Sequence, residues 1–248
     1  MSIHAFANPS RFLKLTNKIF PVTFLFTFLF MGLGIYWSLF VAPPDDQQGE
    51  AVRMMYFHVP AAWMSMGIYT LMTLCGLSFI IWKHPLAVLT ARAAAPIGAC
   101  FTLICLITGS LWGKPTWGAW WVWDARLTSV LILFFLYIGY SVLINSFDDP
   151  EKAEKAASYF NLIGFINVPL IKWSVTWWNT LHQPASLMKL SSPSIDSSML
   201  TPLLVMAAAY GFYFLSVLIV RLRAKVIQRK RWVLYKSHSQ AHLGERVQ

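Results

Sequence analysis

Between Trp112 and Arg126 the chain reads W-G-K-P-T-W-G-A-W-W-V-W-D-A-R, with tryptophans at 112, 117, 120, 121 and 123. Five of the twelve tryptophans in the chain therefore fall within twelve consecutive residues. Apolar membrane spans are built from Leu, Ile, Val and Phe, and Trp collects at the bilayer surface, where its N–H meets water. Gly113, Pro115 and Gly118 break the segment into a loop or a broken amphipathic helix. Two uses fit such a set of indole faces. One is an aromatic belt at the interface; the other is a platform for a large flat ligand, which better accounts for the number of rings.

Chemistry on such a platform needs further groups. Among six histidines, His58 in Y-F-H-V-P and His182 in W-W-N-T-L-H-Q-P stand at the ends of long apolar runs. Two neutral imidazoles on opposite sides of a flat aromatic platform suit the two axial positions of a haem iron. A histidine at a membrane interface also serves as an ordinary polar anchor, and the residues alone leave both readings open. Haem carries two carboxylates, which the planar fork of arginine can bond bidentately. Arg53, five residues before His58, and Arg126, beside the tryptophans, are the candidates, with Lys114 behind them. Asp124 immediately precedes an apolar run and is a natural N-cap; its other candidate role is to orient Arg126 or an indole. Lys172 is a lone charge inside an apolar run and shares a helical stripe with Thr176 and Asn179. That stripe is a candidate lining for a polar cavity.

Other chemistries find little support. Cys75, Cys100 and Cys105 lie in apolar runs and form no C-x-x-C, so they read as packing residues rather than a dithiol or zinc site. Without C-x-x-C-H the chain does not attach haem covalently in the manner of a c-type cytochrome, and without G-x-x-x-x-G-K-[ST] any ATP hydrolysis must come from a partner.

The elements that must position these residues follow from composition. Of the 248 residues, 57% are hydrophobic and 12% charged, against about 25% charged in soluble domains. The fold expected is an all-α integral membrane protein forming a single domain. Apolar runs at 20–41, 59–82, 93–112, 127–147, 159–181 and 199–220 give six spans. About 20 residues at about 1.5 Å each cross a hydrocarbon core of about 30 Å. The first run is too long for the apolar region of a signal peptide and reads as an uncleaved span. Lys and Arg fix the expected orientation. With the N-terminus inside, fifteen of the twenty fall on inner segments and four (Arg53, Lys114, Arg126 and Lys189) on outer loops. Both termini are then cytoplasmic. The Trp-rich loop 113–126 faces outward between the third and fourth spans. His58 and His182 share its side, while His4, His84, His238 and His242 do not. The net charge of +10 is topological signal rather than a nucleic-acid footprint. The basic tail 221–248 extends the last span toward anionic lipid.

Those residues carry a resemblance. W-G-K-P-T-W-G-A-W-W-V-W-D-A-R-L-T-S resembles the "WWD" signature of the haem-handling proteins of cytochrome c biogenesis. F-H-V-P-A-A-W, A-P-I-G-A and W-W-N-T-L-H-Q resemble the haem exporter protein C branch of that family. The resemblance implies haem b as the bound group and His58 and His182 as its axial ligands. It places Trp112, Trp117, Trp123 and Asp124 in the haem-binding signature. The partners it implies are a periplasmic haem chaperone joined covalently to a haem vinyl group, a small single-span subunit, and the permease and ATPase subunits of an ABC transporter.

The expectation is an inner-membrane protein that binds haem at its periplasmic face and delivers it. It is not an enzyme, though it promotes covalent attachment on the partner. Two rivals differ in class. A b-type cytochrome oxidoreductase usually sets its histidines deep within the helices and stacks haems across the bilayer, whereas a permease with an interfacial tryptophan belt binds no haem.

Overall fold

The computed structural model describes residues 9–178, 180–182 and 195–245. Asn179, Lys189 and His4 lie outside them. Helix α1 (Pro9–Tyr36) runs into a π turn at Trp37–Val41, and a 3-10 turn (Glu50–Met54) leads into α2 (Met55–Trp82). Then come α3 (Pro85–Trp117), α4 (Ala125–Leu143), α5 (Pro150–Gly164), α6 (Asn167–Trp177) and α7 (Ser197–Glu245). Among the described residues, five helical segments are long and apolar enough to cross a membrane: Arg11–Val41, Glu50–Trp82, Pro85–Trp117, Ala125–Leu143 and Ser197–Trp232.

The run 159–181, expected as one span, is instead broken. Pro169 explains the break, because it has no N–H to offer the Phe165 carbonyl and its ring clashes with that carbonyl. Val168 N–H bonds the Phe165 carbonyl instead, at 3.0 Å, so the turn leaves it paired. Buried asparagines hold both halves to the bundle. Asn161 donates to Thr73 Oγ1 at 3.3 Å, and Asn167 donates to the Ser129 carbonyl at 2.8 Å. Gly164 lets α5 lie against Tyr69, since a Cβ there would fall 2.2 Å from the phenol oxygen.

The core lies among α2, α3, α4 and α7. Tyr69 and Tyr137 meet edge to face at 5.2 Å, and Tyr137 donates to the Ser65 carbonyl at 2.6 Å. The Tyr137 ring fills the space that a Cβ at Gly98 would take. Helix α1 packs on α7 through stacked Phe26 and Phe212 and the Thr27–Ser216 hydroxyl pair, at 3.3 Å. Its opposite face, with Leu25, Phe28 and Leu29, is exposed, as expected of a helix bordering lipid. Beyond the apolar run, α7 continues as helix into the basic tail as far as Glu245.

Candidate functional site

His58 sits one turn into α2, facing α3. Its Nδ1 is 3.0 Å from the Cys105 carbonyl oxygen and 3.2 Å from Thr108 Oγ1. A carbonyl only accepts, so Nδ1 carries the proton and Nε2 keeps its lone pair. Gly109 makes room for the ring, because a Cβ there would lie 2.9 Å from His58 Cε1. Trp112, one turn further along α3, meets the imidazole edge to face at 5.7 Å. The indole N–H of Trp112 is fixed by Gln48 Oε1 at 2.8 Å.

Helix α3 continues past the expected start of the loop and ends at Trp117. Pro115 is accommodated in its last turn, and Gly118, at φ 78°, terminates the helix by a left-handed cap bonded to the Lys114 carbonyl. The non-helical stretch is thus 118–124. It folds back over α3, where Ser110 Oγ donates to the Trp120 carbonyl at 2.7 Å. Gly113 permits this, since its missing Cβ leaves space for the Ala119 carbonyl and the Trp117 ring.

The second histidine stands at the far end of this loop. Trp117 meets His182 at 4.8 Å between ring centroids, with planes 66° apart. Asp124 is buried and acts twice. Its Oδ1 accepts from Leu127 N at 2.7 Å and caps α4. Its Oδ2 accepts from Thr180 Oγ1 at 2.6 Å and stands 3.3 Å from His182 Nδ1. Thr180 Oγ1 also receives the backbone N–H of His182 at 3.1 Å. Carboxylate and threonine together fix the imidazole, with the proton on Nδ1 and the lone pair on Nε2, as in the carboxylate–histidine–metal arrangement. Burial holds His182 below its ordinary pKa, with Asp124 opposing and Arg126 reinforcing, so the ring is neutral at pH 7. For Asp124, burial pushes upward, but the bonds from Thr180 and Leu127 and the nearby imidazole outweigh it. The carboxyl settles below its ordinary value.

His58 and His182 are close enough to interact electrostatically, and Arg126 is within such reach of both. Arg126 donates to the Lys172 carbonyl at 3.4 Å, while its Nε is buried without an acceptor among the described residues. The Nε1 of Trp121 is buried and unpaired too. Lys172 itself is exposed, as is Thr176.

The candidate residues therefore divide. His58 with Trp112, and His182 with Trp117 and Asp124, form two contact groups, and Arg126 is within electrostatic reach of both histidines. Trp121 pairs edge to face with Trp123 at 5.5 Å, and Trp123 is 75% exposed. Trp120 is also exposed, with Lys114 Nζ 5.9 Å from its ring. Arg53 is not brought to the histidines: it pairs with Glu50 and donates to the Ser38 carbonyl at 3.0 Å. Sequence reasoning missed the Cys105 carbonyl, Thr108, Gly109, Gln48 and Thr180. Of these only Thr180 left a usable signal, as a hydroxyl two residues before a candidate ligand.

Among the described residues, no group of three His, Cys, Asp or Glu side chains could hold a bare metal ion. Two imidazole lone pairs are too few for an ion that takes four or more ligands. They suffice for an iron that brings four ring nitrogens of its own.

The chain is similar to known proteins over most of its length. A family model described as "Heme exporter protein C" matches residues 2–236. "Heme exporter protein C" of Bradyrhizobium diazoefficiens is 49% identical over 230 residues, covering 93% of this chain and 87% of the relative. The protein of that name from Escherichia coli K12 is 43% identical over 237 residues, covering 94% and 95%. A "Putative cytochrome c biosynthesis ccmC-like mitochondrial protein" of Marchantia polymorpha is 51% identical over 187 residues, 75% of this chain and 79% of its own.

Proposed function

The chain belongs to the haem exporter protein C family, a haem-handling family of cytochrome c maturation, and we propose that it binds haem b between His58 and His182 and delivers it to a periplasmic haem chaperone. One observation carries this reading. Both imidazoles have Nδ1 fixed against oxygen acceptors, leaving both Nε2 lone pairs free, and each ring has an indole at its edge. Haem is cargo here. His58 and His182 hold its iron, Trp112 and Trp117 bound the pocket edges, and Arg126, with its unpaired buried Nε, receives a propionate. The exposed Trp120 and Trp123, with Trp121 between them, form the surface that meets the partner. Arg53 reaches a propionate only by leaving Glu50.

In this reading α5 and α6 together make the fifth of six crossings, both termini are cytoplasmic, and the Trp-rich segment is periplasmic. The chain works beside a single-span subunit and an ABC transporter in the inner membrane. It supplies no catalytic base. Its contribution is orientation, holding the iron from both sides so that a vinyl edge stays exposed to the chaperone.

The test is formation of the haem–chaperone adduct, read by haem staining on a denaturing gel, in cells producing the chaperone with or without this chain. Delivery requires the adduct to appear only with the chain. An equal amount without it would contradict the reading.

A further inference from the structure

At the opposite end of the bundle from the histidines, α7 carries Arg221, Lys225 and Arg229 at successive four-residue steps, on one stripe. All three are half-buried, while Ala224, Gln228 and Lys230 around them are exposed. Arg221 Nε donates to the Ala93 carbonyl at 3.0 Å, at the residue that follows Arg92 in α3. Arg92 in turn donates to Asn145 Oδ1, and Lys225 lies within electrostatic reach of Arg92 and Arg221. Arg229 pairs with the buried Glu154 at 3.1 Å. Arg92 is within electrostatic reach of the same carboxylate, with Glu151 exposed at its side, so Arg221 and Lys225 are left with no carboxylate partner among the described residues.

The level of this cluster is set by the sequence. Arg92 is the last charge before the apolar run 93–112, and Arg221 is the first after the run 199–220. Both stand where the hydrocarbon would end and lipid phosphates begin. Beneath them, Leu89, Ala93, Leu222 and Val226 form a small buried apolar cluster that holds α3 against α7. On the hydrocarbon side of them, Tyr213 and Val220, seven residues apart on α7, leave an exposed apolar flank. Mutually repelling cations at the edge of a low-dielectric medium call for an anion, and guanidinium forks match phosphate oxygens.

We propose that Arg92, Arg221 and Lys225 form a binding site for the headgroup phosphate of an anionic phospholipid, whose acyl chains lie along the exposed flank of α7. The flank favours a lipid over free phosphate, which would make no use of it. The site does not depend on the haem reading, and membrane orientation decides only which leaflet supplies the lipid.

Thermal unfolding of the delipidated full-length protein in detergent tests this, with phosphatidylglycerol, phosphatidylcholine or inorganic phosphate added. Phosphatidylglycerol is expected to raise Tm by about 2–4 °C, the shift a ligand in several-fold excess over its Kd gives a chain of this length. The other two should not. Lys225→Gln leaves the Arg221 and Arg229 bonds in place and should shrink the rise, whereas Lys230→Gln on the exposed face should leave it whole. A double Arg92→Gln/Arg221→Gln variant should abolish it; if that variant does not fold, Lys225→Gln decides alone. An equal rise with phosphatidylcholine or inorganic phosphate, or an unchanged rise in Lys225→Gln, would overturn the site.

Discussion

Asp124 Oδ2 stands 3.3 Å from Nδ1 of His182 while Oδ1 of the same carboxylate caps α4. Cap and orienting group are one side chain, so the position of the imidazole is tied to the start of α4. Asp124→Asn keeps an acceptor for the cap but can turn an amide N–H toward Nδ1, which favours the wrong tautomer. The expected result is a folded protein whose haem affinity falls by about 10–100-fold, the usual loss when such a partner is removed. Asp124→Ala should also lose about 0.5–2 kcal/mol of stability from the missing cap. Haem titration and thermal unfolding of both variants separate the two roles. Equal affinity in Asp124→Asn and the wild type would leave Asp124 a cap alone.

The depressed pKa of His182 gives a signed pH dependence. Below about 6.5 an unfolded histidine takes up a proton that the folded ring refuses. The folded state therefore loses stability as pH falls from about 6.5 toward the depressed value, and changes no further below it. Throughout that window the ring stays neutral and able to bind iron. Melting curves of the haem-free protein across the window should slope less in His182→Gln than in the wild type. Parallel curves would contradict the buried, neutral imidazole.

Gly109 is expected to be the most sensitive glycine near the site. A methyl there would press within 2.9 Å of His58 Cε1, on a ring already fixed by the Cys105 carbonyl. Gly109→Ala should displace His58 and turn the haem absorption spectrum from six-coordinate low-spin toward five-coordinate high-spin. Gly67→Ala, where a Cβ meets nothing within 4 Å, is the control and should leave the spectrum unchanged.

How much of this was legible in the sequence can be judged from particular residues. Charge-free runs were enough to locate α1 to α4 and α7, because apolar length alone dictates a membrane helix. Length failed at 159–181, where Pro169 removes one N–H from an otherwise apolar run and turns the chain; the signal was present in a single residue. It failed again at 113–117, where glycine and proline read as breakers although α3 runs on through Pro115 to its left-handed cap at Gly118. The histidines and tryptophans could be named from type and crowding. Their sorting could not: that Trp117 meets an imidazole while Trp123 faces outward depends on the fold-back of 118–124 over α3. Arg53 looked suitable by spacing, yet it is held by Glu50, a residue three positions away that counting outer cations leaves out.

That sorting yields an expectation about two tryptophans. Trp117 touches His182, so Trp117→Ala should weaken haem retention by about 3–10-fold, the equivalent of about 0.5–1.5 kcal/mol for an aromatic contact. Trp123 is largely exposed, so Trp123→Ala should keep haem but lower the yield of haem–chaperone adduct. Haem per protein and adduct on a gel, measured together, distinguish these. If neither variant changes either quantity, the aromatic block is an interfacial belt.

The most direct test is the absorption spectrum of the purified protein with haem supplied. The wild type should show a six-coordinate, low-spin, bis-histidine spectrum. His58→Ala and His182→Ala should each lose it, and added imidazole should partly restore it by filling the vacated axial position. An unchanged spectrum in either variant would contradict the assignment of His58 and His182 as the two ligands.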